Sequence, residues 1–140
     1  MDNGSLLGFL AGVLIVGLLL VAVIVLTKKT QAPLSVDKYR MRWLAIEKQL
    51  SKEAVSSYSL TVLNADKLLD QALKERGIKG ETMGERMKNA REIWSNANAV
   101  WGAHKLRNQI AHEPDVQVSF DDARHALAGF KQALKDIGAI

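Results

Sequence analysis

Apolar positions along the chain fall into one unbroken run and then into a series of spaced stripes. The run is Leu6 to Leu26, 21 residues without a charge or strong polar group. At about 1.5 Å rise per residue, a helix of this length spans a hydrocarbon core of about 30 Å. Beyond the run, apolar residues recur at three- and four-residue spacing, the mark of helices that bury one side. No stretch sustains period-two alternation, so helices alone are predicted.

Val36, Tyr39, Trp43, Ile46 and Leu50 form the first stripe and predict a helix over 36–50, with Ser35 as its N-cap. Val55, Tyr58, Val62, Ala65, Leu69 and Ala72, widened by Leu63, Leu68 and Leu73, predict a second over 52–76. The stretch GIKGETMG, 77–84, reads as a loop. Thr82 and Glu85 have capping-box spacing, which starts a third helix near 83 and carries it to about Trp94. A fourth runs from Ser95 or Asn96 to His112, either separate from the third or continuous with it. Pro114 pushes Glu113 out of the α region and ends that helix. Ser119 and Asp122 repeat the cap spacing. Ala123, Ala126, Leu127, Phe130, Leu134 and Ile137 then line the inner face of a last helix over 120–137, stopped at Gly138.

The expected fold is therefore all-α. A single N-terminal transmembrane helix precedes a four- to five-helix up-and-down bundle. The expected divisions are 1–5 outside the membrane, 6–26 the span, 27–35 a basic juxtamembrane linker (TKKTQAPLS), and 36–140 the helical domain.

Charge sharpens the reading of the first run. A cleaved signal peptide has a basic start and an apolar stretch of roughly 7–15 residues. This chain starts MDNGS, its run is longer, and the run ends in TKK. A permanent anchor in the plasma (inner) membrane is expected. Lys28, Lys29, Lys38, Arg40 and Arg42 all follow the span and no Lys or Arg precedes it, which predicts an outside N-terminus and a cytoplasmic domain. Residues 28–52 hold seven of the basic residues against Asp37 and Glu47, whereas residues 53–140 hold twelve basic and twelve acidic. The excess is juxtamembrane and suits an anionic lipid surface. It is a poor basis for a nucleic-acid face on the domain. There is no cysteine, which excludes disulfides, thiolate zinc sites and a cysteine nucleophile.

Polar chemistry gathers in HKLRNQIAHEP, 104–114. On a helix, Val100, Ala103, Leu106 and Ile110 share the core side, and Trp101, His104, Asn108 and His112 share another. Asn108 and His112 are four apart and neighbours. Arg107 points about 140° away from His112. The two converge only if the helix distorts near Pro114 or a second subunit supplies the partner group. Helix-end cations are also placed simply to meet the helix dipole. His104 and His112 are eight apart with Glu113 the nearby carboxylate, so no metal is expected, and no cofactor. His125 is expected on the surface of the last helix. Trp94 and Trp101 are expected in the core or at a dimer interface.

The run Arg107-Asn108-Gln109-Ile110-Ala111-His112 resembles the Rx4–6H signature of HEPN domains. An all-helical domain with the motif at the end of a late helix, and one more helix after it, resembles that family over residues 36–140. The resemblance implies two classes. Many HEPN domains are metal-independent endoribonucleases whose dimers join two motifs in one cleft. Others bind nucleotides, RNA or protein partners without catalysis. In the first class Arg107 would bind the scissile phosphate, His112 would be the general acid or base for attack by the RNA 2′-hydroxyl, and Asn108 would orient them. One antitoxin-linked subgroup has a tyrosine two residues after the histidine; Pro114 stands there in this chain. Gly4, Gly8 and Gly12 add two overlapping GxxxG steps, which suit a homodimer through the membrane helix. The fold discriminates the two classes. Arg107 and His112 lining an open cleft favours the enzyme. Arg107 held against an acidic residue such as Asp66 or Asp70 favours a structural role.

Overall fold

The computed structural model describes residues 2–27 and 33–140, which form six helices and no strand. Lys28 and Lys29 of the predicted basic linker lie outside the described residues.

Helix α1 (Asn3–Thr27) covers the long apolar run and has no acidic residue in its first turn or basic residue in its last. Its mean hydropathy reaches 3.2 over an 18-residue window. Among the described residues it is the one helix long and apolar enough to cross a membrane. Its last side chain is polar, but the Thr27 hydroxyl donates back to the Val23 carbonyl at 2.6 Å and so needs no outside partner.

Residues 32–140 form a compact unit of their own. It contains α2 (Val36–Gln49), α3 (Ser56–Glu75), α4 (Met83–Asn89), α5 (Ala97–His112) and α6 (Phe120–Asp136). α3 is central and packs against the other four. α2 and α3 run antiparallel, as cross-helix partners show: Lys38 with Glu75, Arg42 with Gln71, and Gln49 with Asn64. Their inward stripes are the predicted ones except at their ends, where Val36 is exposed and Leu50 only half-buried. Tyr39, Trp43 and Ile46 from α2, Tyr58, Val62, Ala65, Leu69 and Ala72 from α3, and Ala123, Ala126, Leu127, Phe130 and Leu134 from α6 are all buried.

Leu34 is buried as well, ahead of the first turn of α2, so the core claims the chain before the helix begins. Ser35 is the N-cap by position, yet its side chain makes no capping bond. Ser119 and Asp122 form the full reciprocal capping box of α6. At α4 the Thr82 hydroxyl accepts from the Glu85 N–H, but the Glu85 carboxylate turns back to the Glu81 N–H instead of Thr82. Two helices end alike. Gly77 and Gly138 both have φ of 72°. In each case the next N–H reaches back to a helix carbonyl, Ile78 to Leu73 at 3.0 Å and Ala139 to Leu134 at 2.8 Å. This left-handed closure is easy for glycine and satisfies carbonyls that the helix leaves open.

The structure corrects two boundaries and settles one open alternative. α3 starts at Ser56, not 52, because residues 51–55 are bound up in turns in which the Ser57 hydroxyl donates to the Ala54 carbonyl. Val55 consequently falls off the stripe and is exposed. α4 stops at Asn89, short of Trp94, and is not continuous with α5. The cause is Trp94, whose buried indole N–H donates to the Met87 carbonyl at 3.0 Å. The Asp136 carboxylate then accepts from both the N–H and the hydroxyl of Ser95 and holds the joint against the end of α6.

Candidate functional site

The polar residues of α5 are organised by one carboxylate on α3. Asp66 lies on α3 next to buried Ala65 and one turn from buried Val62 and Leu69, and it is only 3% exposed. A carboxylate so deep in the core requires partners. It has two. Oδ1 lies 2.7 Å from Nδ1 of His104, and Oδ2 lies 3.2 Å from Nε of Arg107. His104 and Arg107 are three apart on α5, one turn, so both reach the same acid. Nδ1 is the ring nitrogen that meets Asp66. Nε2 faces the first turn of α4, where a Cβ added to Gly84 would sit 3.9 Å away. The rings of Trp101 and His104 meet edge to face at a centroid distance of 6.1 Å.

This corrects the placement of His104. It was expected on the polar side with Trp101, Asn108 and His112, but it is buried. The reason is tertiary: the buried acid on α3 draws the imidazole inward.

Arg107 continues the network. Its Nη1 donates to the Asn108 side-chain oxygen at 2.9 Å, so two of its three nitrogens are engaged. Its side chain remains 35% exposed. It borders a polar cleft of about 570 Å³ between α3, the start of α4 and α5. Asp70, one turn along α3, holds the buried Arg86 at 2.8 Å and Lys74 at 2.9 Å in the same cleft. Burial pushes the Asp70 carboxyl up, but Arg86 and Lys74 outweigh it and hold it below the usual carboxylate range.

His112 does not join this group. It is the last residue of α5, exposed, with no hydrogen bond or ion pair among the described residues. Glu113 follows in an extended conformation, as Pro114 dictates. Of the three candidate residues, the structure brings Arg107 and Asn108 together and leaves His112 apart. The larger concavity, about 640 Å³ between α5 and α6, is lined by none of them. His125 borders it, exposed as expected.

Chemically, the cleft holds charges that are largely matched within the chain. Arg107 faces Asp66 and Arg86 faces Asp70, both across helix boundaries, and such pairs fix helix register. The sequence signal for the organiser is an aspartate directly after Ala65 and one turn from Val62 and Leu69 of the apolar stripe of α3. Comparison of the chain with protein-family models, with characterised proteins and with solved structures finds no match.

Proposed function

We propose that this chain is a membrane-anchored, HEPN-like helical module whose domain binds a protein partner and does not cleave RNA. Helix α1 serves as a single-pass anchor in the plasma (inner) membrane. The basic residues after it put the N-terminus outside and the domain in the cytoplasm.

The observation that carries the non-catalytic reading is the Asp66 pair. The guanidinium that would grip a scissile phosphate is already held by a buried carboxylate and by Asn108. Residues 53–140 carry equal numbers of basic and acidic residues, and phosphate backbones are bound by an excess of positive charge. That balance favours a protein partner over RNA or a nucleotide.

A second reading rests on His112, exposed at the end of α5 and unengaged among the described residues. In a homodimer a second copy would bring its own motif beside it, giving a metal-independent endoribonuclease with Arg107, Asn108 and His112 as working residues. The test uses the full chain in vesicles with mixed RNA in EDTA. Uncut RNA supports the binding module. Cleavage that is lost in both Arg107→Ala and His112→Ala, with both variants folded, overturns it and establishes the nuclease.

A further inference from the structure

The outward side of α2 carries a pattern that the bundle does not use. Met41 is 72% exposed and Leu44 is 47% exposed, on the helix that follows the linker. Arg40 and Lys48 flank them, both exposed and both without an ion pair among the described residues. At about 100° per residue, these four side chains share an arc of about 100°. Asp37 stands at the N-terminal end of the same side. The opposite side holds buried Tyr39, Trp43 and Ile46, so the pattern is not a misplaced core stripe.

Leu34 decides how far this face can stray from the bilayer. Its burial makes it part of the domain, so six residues, 28–33, join the domain to the last residue of α1. Six residues extend to about 20 Å at most. Lys28 and Lys29 are among those six in sequence. A face bearing two free cations and two exposed apolar side chains, held this close to an anionic leaflet, meets both attractions an interfacial helix uses.

We infer that the Arg40, Met41, Leu44 and Lys48 face of α2 docks on an anionic lipid surface, with Met41 and Leu44 inserted between headgroups and the two cations over lipid phosphates and carboxylates. The inference rests on the reading of α1 as an anchor. It makes the domain a membrane-apposed body and leaves its other faces for a partner.

The chain has no cysteine, so a single introduced one takes a probe uniquely. The full chain, with bimane on Leu44→Cys, is reconstituted in vesicles containing spin-labelled lipid, either neutral phosphatidylcholine or phosphatidylcholine with phosphatidylserine. Bimane on Val16→Cys reports the anchor and bimane on Leu60→Cys reports an exposed position on α3. Expected are quenching at position 44 in anionic vesicles, much less in neutral ones, and none at position 60. Arg40→Gln with Lys48→Gln should reduce the docked-to-free ratio by roughly 30-fold, two charges at the usual surface attraction. Quenching at 16 without quenching at 44 overturns the docking face and leaves the anchor intact. No quenching at 16 sinks the anchor reading itself. Shielding of position 44 equally in neutral vesicles, without lipid quenching, assigns the face to protein and overturns the proposal.

Discussion

Asp66 on α3 holds Arg107 on α5 at 3.2 Å while its other oxygen holds His104 at 2.7 Å. One buried carboxylate thus fixes the approach of two helices. Asp66→Ala would leave the buried imidazole unpartnered and release the guanidinium. The expected loss is about 3–5 kcal/mol, the cost of breaking a buried charged pair from one side. Arg107→Ala leaves Asp66 its histidine, and its expected loss is about 1–2 kcal/mol. Urea unfolding of the three proteins checks both. An Arg107→Ala variant as stable as the parent would remove the structural role and strengthen the nuclease reading.

Asp70 gives the cleft a pH signature. Its carboxyl is depressed in the folded chain, so on acidification the unfolded chain takes up the proton first. The stabilisation is complete above the unfolded value of about 3.9 and is lost as pH falls through the lower folded value. Asp70→Asn removes that slope and leaves Arg86 buried beside a neutral amide. Stability of the parent followed from neutral pH downward should fall more steeply below about pH 4 than that of Asp70→Asn. Parallel curves would show that other carboxylates govern the acid limb.

α5 and α6 meet at Gly129, where an added Cβ would lie 2.7 Å from the Ala99 carbonyl oxygen and 3.0 Å from its carbon. Those are backbone atoms and cannot rotate aside. Alanine normally favours a helix over glycine by about 1 kcal/mol. Here overpacking should win, with a net loss of about 1–3 kcal/mol. Thermal unfolding of Gly129→Ala decides the sign, and a raised Tm would mean that the two helices separate without penalty.

Trp94→Phe keeps most of the ring but removes the donor to the Met87 carbonyl. A buried carbonyl without its partner should cost about 1–3 kcal/mol. Amide exchange over 90–96 should accelerate with it, because the α4–α5 joint loses the bond that ends α4. Unchanged exchange there would place the cause of the break elsewhere.

These sites mark where the sequence was readable. Tyr39, Trp43 and Ile46, or Phe130 and Leu134, announce their burial through spacing alone, because a stripe is a local property. The Ser119–Asp122 cap and the stop at Gly138 are local too. The end of α4 was not readable, since it depends on a tryptophan folding back on Met87 and on Asp136 from 41 residues away. His104 was misplaced for the same reason: its partner lies 38 residues upstream. Asp66 and Asp70 could be named as acids for Arg107, but spacing could not choose between them. The structure gives Arg107 to Asp66 and Arg86 to Asp70.

The burial of Leu34 has a mechanical side. Any pull on the chain ahead of Leu34 enters the domain at this one side chain, at the start of α2. A pull there would peel α2 away one turn at a time, lifting Leu34, then Tyr39, then Trp43 and Ile46, instead of shearing the whole bundle at once. Under such a pull α2, the first helix of the domain in chain order, would be the first to yield, and Leu34 is the latch that sets when it does.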